Sequence, residues 1–132
     1  EKKKCVKGII ELRSSAIMGA EAMYGKIEAL MHLVEGSCTT FSPYPAWPYR
    51  KKSSLREKVR KTYETLRQDS LLVTPVHCGL ECGFFVAACP DLDCVSVGPD
   101  CIGMHSPQER LSISSTLRVE HFLRELIKEL AR

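Results

Sequence analysis

Leu71-Leu72-Val73-Thr74-Pro75-Val76-His77-Cys78-Gly79-Leu80-Glu81-Cys82-Gly83 is the stretch on which the fold turns. A short apolar run over 71–76 leads straight into a glycine-punctuated turn and a helix start at 77–83. Residues 92–97, Leu92-Asp93-Cys94-Val95-Ser96-Val97, form a second such run, stopped by Gly98-Pro99. Helical periodicity fills the intervals. Leu55, Val59, Tyr63 and Leu66 fall at four- and three-residue steps and predict a helix from about 54 to 66. Leu117, Phe122, Leu123, Leu126, Ile127 and Leu130 predict another from about 115 to 130. Strands alternating with helices place the residues after about 46 in an α/β layer.

Upstream, residues 5–13 alternate as a half-buried strand does, with Val6, Gly8, Ile10 and Leu12 on one face and Arg13 on the more polar one. Ser14 or Ser15 can cap a following helix whose apolar residues keep a helical period from Ile17 to Val34 and stop at Gly36. Residues 37–42 read as a short strand. Pro43-Tyr44-Pro45-Ala46-Trp47-Pro48 then breaks regular structure, because each proline fixes φ and withholds a donor. The lobe boundary belongs there, giving a strand-helix-strand segment over 1–45 and a second segment over 46–132.

With 132 residues, 44% hydrophobic and 27% charged, the chain falls in the globular range. No run long and apolar enough to cross a bilayer occurs, and no apolar signal segment follows Glu1-Lys2-Lys3-Lys4, so a soluble protein without a membrane partner is expected. The first residue is not Met, which suggests a processed product or a fragment. Seven cysteines, an odd number without a CxxC pair, fit reduced thiols in the cytoplasm better than a disulfide framework, and their spacing excludes a zinc ribbon. A net charge of +3 is too small to argue for nucleic acid. The basic cluster Arg50, Lys51, Lys52, Arg56, Lys58, Arg60 and Lys61 lacks interleaved aromatics and reads as a solvated helix face.

Ligands of α/β sheets collect beyond the carboxyl ends of the strands, where the loops at 77–83 and at 105–109 lie. In Met104-His105-Ser106-Pro107-Gln108-Glu109, Ser106 suits an N-cap, Pro107 the first helical position and Glu109 the third, a capping box that predicts one rigid helical turn. His105 on such a support suits a metal ligand. A lone histidine beside a capped turn is the plainer alternative. Catalytic zinc takes about three protein ligands and a water, and no HxD, HExxH or carboxylate cluster in this chain supplies the rest.

Gly79 and Gly83 allow close backbone approach to a ligand or, equally, tight packing. Glu81 can favour a helix dipole or hold a substrate amine. Cys78 with His77 invites a nucleophile reading, but neighbours on an extended chain point apart and structural thiols fit better. Arg13 can grip a peptide carboxylate through two parallel hydrogen bonds, or simply pair with Glu11.

Taken together, Leu12-Arg13-Ser14-Ser15, Tyr44-Pro45-Ala46-Trp47, residues 77–83, residues 92–99 and His105-Ser106-Pro107-Gln108-Glu109-Arg110 resemble the aminoacyl-histidine dipeptidases of the M20 metallopeptidases. The blocks match in order and spacing over nearly the whole chain. The resemblance implies a cytoplasmic, homodimeric, di-zinc hydrolase of Xaa-His dipeptides, with other divalent metals able to serve. It implies that residues 1–45 end a βαβ lid of the dimerising type and that 46–132 form the C-terminal segment of the catalytic α/β domain. His105 then stands at a zinc ligand, Arg13 at the grip on the substrate carboxylate, and Gly79 and Glu81 in the loop facing the dipeptide. No catalytic residue is implied here, because the general-base glutamate, the HxD motif, the bridging aspartate, the paired glutamates and the remaining ligand belong to the N-terminal half. Ala46 replaces a usual glycine and Cys78 a usual alanine. The chain is thus expected to be inactive without its missing half; the alternative is a stand-alone interaction module that dimerises through the edge at 5–13.

Overall fold

The computed structural model describes residues 5–76 and 79–132. They fall into two compact units, Glu1–Tyr49 with Pro75–Pro90 and Arg50–Thr74 with Asp91–Arg132.

The second unit is built on two helices, α2 (Ser54–Arg67) and α4 (Ile113–Leu130). Leu55, Val59 and Tyr63 of α2 sit where the four- and three-residue steps put them, while Leu66 at its end stays exposed. Val59 is buried against Phe122 and Leu126 of α4, with Leu55, Tyr63, Leu71 and Val95 packed around this nucleus. Tyr63 and Phe122 meet edge to face with ring centroids 6.0 Å apart, the arrangement their quadrupoles favour. Helix α2 starts at Ser53, whose Oγ accepts the Arg56 N–H at 2.9 Å, and stops at Gln68 in the left-handed region. The carboxylate of Asp93, 38 positions away, accepts the Leu55 N–H at 3.0 Å. Two of the four donors orphaned at this helix start are thereby satisfied, one locally and one from a distant segment.

Helix α4 begins two residues earlier than its periodicity indicates. Ser112 is the cap, its Oγ accepting the Ser115 N–H. Ser115 instead faces inward, where its buried hydroxyl accepts the Asp100 N–H at 2.8 Å. The apolar face of α4 is also wider than the strip α2 covers: Ile113, Leu117 and Ile127 remain exposed.

In the first unit, α1 spans Ile17–Leu33. The expected serine cap is absent, since Ala16 takes the cap position and Ser14 Oγ accepts the Ala16 N–H instead. At the other end Glu35, with φ of 52°, takes the left-handed position that Gly36 was expected to serve. Gly36 N–H bonds to Met31 O and Glu35 N–H to His32 O, the paired bonds of a Schellman stop. A short helix, α3 (Cys82–Ala88), follows the glycine-rich loop.

The predicted strands are the main correction. Segments 5–13, 37–42, 71–76 and 92–97 are not paired into a sheet, and among the described residues the strands are β1 (Cys101–Ile102) and β2 (Arg110–Leu111), antiparallel with Cys101 opposite Leu111. Alternation makes a segment suited to a sheet, but a strand exists only when a neighbour takes its backbone hydrogen bonds. Residues 5–11 are exposed on both faces, with Val6 at 94% and Ile9 at 74%. No helix among the described residues is long and apolar enough to cross a membrane.

Candidate functional site

The hairpin joining β1 to β2 carries His105. Residues 105–109 form this hairpin loop rather than the helical turn expected from the capping-box spacing. The side chains are used much as that motif uses them, shifted by one residue. Ser106 Oγ accepts the Gln108 N–H at 3.2 Å and donates to Gly103 O at 2.7 Å. Glu109 reaches back to accept the His105 N–H at 3.2 Å rather than that of Ser106. The hairpin wins because the strands on either side fix its ends, and a helical turn would not bring residues 102 and 110 together. His105 has φ of 64°, left-handed and rare for a residue with a side chain, and such backbone gathers at functional sites when the surroundings hold it. Here the hold is Glu109, whose other oxygen accepts the Cys101 thiol at 3.6 Å. Burial, followed by the charge and hydrogen bond of Glu109, pushes the Cys101 thiol above its usual range and keeps it protonated.

His105 is exposed, and among the described residues no three of His, Cys, Asp or Glu converge to hold a metal ion. The carboxylate beside it is already engaged by the loop. The described residues therefore do not make up a metal centre, and no chemical step follows from one.

In the first unit three distant segments meet. The guanidinium of Arg13 stacks over Tyr44, 4.4 Å from the ring centroid. Tyr44 in turn meets Phe84 of α3 edge-on at 4.6 Å. Gly79 lies against both: a Cβ there would come within 3.2 Å of Arg13 Cζ and Nη1 and of Tyr44 Cε1. Gly83, the buried glycine of α3, approaches Pro45 O so closely that a Cβ would sit 2.6 Å from it. Both glycines are thus pressed against neighbours of the same unit.

The pairing of Arg13 with Glu11 that the sequence left open is formed. Arg13 Nε and Nη2 both donate to Glu11 Oε1, at 2.9 and 2.5 Å. Glu81 occupies the N-cap of α3 with helical dihedrals and makes no side-chain cap bond, so its carboxylate faces solvent. His77 and Cys78, weighed as a base and nucleophile and set aside in favour of a structural thiol, lie outside the described residues. No disulfide joins the other cysteines.

These geometries can be set beside known proteins. No protein-family model matches the chain. The cytosol non-specific dipeptidase of Escherichia coli (strain K12) is 33% identical over 119 residues, covering 90% of this chain and 24% of that protein. The chain is similar to part of a dipeptidase. The crystal structure of aminoacylhistidine dipeptidase from Vibrio alginolyticus superposes with a TM-score of 0.70 at 26% identity, over 88% of this chain and 24% of that one. The family resemblance read from the motif blocks is met by both relatives, and the chain spans about a quarter of the length of each.

Arg13 and Gly79 were singled out as candidates from the sequence, and no role was given to Tyr44 or Asp93. Tyr44 was read as part of a proline-broken segment and of one family block, with no partner assigned to it, although a tyrosine ring is a platform for a cation. Asp93 was read as part of a strand. Burial pushes its carboxyl up, but the Leu55 N–H, the Ser53 hydroxyl and the charges of Arg50 and Arg56 together outweigh this and hold it below the usual range. No local pattern announces a cap supplied from 38 residues away.

Proposed function

We propose that this chain is the C-terminal piece of a cytoplasmic, homodimeric, zinc-dependent dipeptidase acting on Xaa-His-type dipeptides, and that it is inactive by itself. Residues 1–45 end the lid and 46–132 complete the catalytic domain. Arg13 binds the substrate carboxylate, Gly79 lets the peptide approach the loop backbone, Glu81 meets its amine, and His105 supplies one ligand to a zinc pair whose other ligands come from outside this chain. The observation that carries the reading is the meeting of Arg13 with Gly79, 66 positions apart in sequence, in a chain a third identical to a dipeptidase. The strained backbone at His105 supports it.

Assay of alanyl-histidine hydrolysis with added zinc tests the proposal. The chain alone gives no turnover and retains no stoichiometric zinc after dialysis; activity, or one tightly held zinc per chain, overturns it. Co-expression with a segment carrying an HxD and a paired-glutamate motif restores hydrolysis, and His105→Ala abolishes that restored activity.

The exposed residues 5–11 of the segment 5–13 favour a second reading, a stand-alone module that dimerises by strand pairing. Sedimentation decides this: a chain that stays monomeric at every accessible concentration removes it.

A further inference from the structure

A ligand carboxylate that approaches the Nε and Nη2 edge of the Arg13 guanidinium finds that edge occupied. Both donors end on one oxygen of Glu11. The remaining sides of the guanidinium have other neighbours: its face lies on Tyr44, and its Nη1 end lies by Gly79. Residues 11 and 13 fall on the same side of an extended segment, so the pair forms without any fold-level constraint. The side chains are 70% exposed for Glu11 and 33% for Arg13, which makes this a weak, water-accessible ion pair, readily exchanged for another carboxylate. Exchange does not require Arg13 to move, because Tyr44, braced by Phe84, holds the guanidinium plane independently of Glu11.

We propose that Glu11 is an internal stand-in for a peptide carboxylate: it occupies Arg13 in the empty chain and is displaced by the ligand, while Tyr44 positions the guanidinium for both. This rests on the reading of Arg13 as the carboxylate-binding residue. Glu11 is then a competitor that sets the affinity threshold, and Tyr44 is a positioning residue. No bond is made or broken; one ion pair replaces another.

Titration of the 132-residue chain with alanyl-histidine, followed on the Arg13 Nε–H resonance by NMR, tests both roles. The resonance shifts saturably with the dipeptide and not with its C-terminal amide. Glu11→Gln keeps the size of the side chain, removes the charge and lowers Kd about two- to fivefold, the fold-change equivalent to an exposed ion pair. Tyr44→Leu raises Kd by a similar factor, and Tyr44→Phe, which keeps the ring, restores most of the affinity. An unchanged or raised Kd in Glu11→Gln overturns the stand-in and leaves the role of Arg13 intact, as wild-type binding in Tyr44→Leu overturns the positioning role. A resonance that responds in neither the wild type nor Glu11→Gln, or that responds equally to the amide, removes the stand-in together with the carboxylate reading of Arg13.

Discussion

The two units hold themselves together by different means. Arg50–Thr74 with Asp91–Arg132 owns a small apolar nucleus, Val59, Phe122 and Leu126, and both its long helices are capped by serine side chains. Glu1–Tyr49 with Pro75–Pro90 has no buried apolar side chain among its described residues; Gly83 is the buried position, and the contacts are a stacked cation, an edge-on aromatic pair and two glycines pressed against neighbours. Apolar burial is non-directional and supplies most of the free energy of folding. Stacking and close approach supply less and depend on geometry. The unit with the core can therefore stand more nearly alone, while the unit that gathers the candidate substrate residues is shaped by contacts that fix position more than they stabilise.

Breaking the core gives the largest effect. Phe122→Ala removes the ring that Val59 and Tyr63 pack on and costs about 3 kcal/mol or more, enough to abolish the cooperative helical transition of a unit with so few buried groups. Denaturant titration followed by circular dichroism measures it. A shift in midpoint no larger than a surface substitution gives would show that α2 and α4 do not depend on each other.

Gly83→Ala is the corresponding test in the other unit. A new Cβ gains up to about 1 kcal/mol of helix propensity, but it would sit 2.6 Å from a backbone oxygen, which cannot swing aside as a side chain does. Overlap of this kind costs about 1–3 kcal/mol, so the segment at Pro45 moves away. Trp47, the single tryptophan, lies two residues on and reports the change as a red shift in emission. Unchanged emission would mean that the close approach does not form.

Much of this arrangement was legible in the sequence, and the division follows the range of the interactions. The helix α2 was read to within a residue because its stripe, Leu55, Val59, Tyr63, is local and the structure uses it. The strands failed because alternation at 5–13 or 92–97 is local but pairing is not. At His105 the residues of the motif were identified, yet the two strands around them turned the expected helical turn into a hairpin, and both side-chain bonds go to a backbone N–H one residue away from the one the capping box implies. Arg13 and Gly79 were each singled out, but only the fold brings them together, against a tyrosine to which no such contact had been assigned.

The distant cap provides the next smaller effect. Asp93→Ala leaves the Leu55 N–H without its acceptor and costs the second unit about 1 kcal/mol, seen as a lowered midpoint of the helical transition. The same carboxylate makes stability depend on pH. Its folded pKa is depressed, so its contribution is complete above the unfolded value of about 3.9 and is lost as the pH falls through that value towards the folded one. The acid limb of the stability curve is accordingly flatter in Asp93→Ala. An identical limb would assign the acid sensitivity to other carboxylates.

Gly79→Ala has the smallest effect on stability and sharpens the comparison most. Its Cβ would meet Arg13 Cζ and Nη1 and Tyr44 Cε1 at 3.2 Å, tight contacts with the ends of side chains that can yield by a few tenths of an ångström. Its φ lies outside the left-handed region, so alanine brings no backbone strain. Stability should change by less than about 1 kcal/mol. Position should change more: the guanidinium is pushed off the Tyr44 ring, and the Arg13 Nε–H resonance loses part of its ring-current shift. If both the melting midpoint and that resonance stay at their wild-type values, Gly79 is not pressed against Arg13. If the resonance moves while the midpoint holds, then this unit spends its glycine on placing a cation, as the other spends its phenylalanine on holding two helices together.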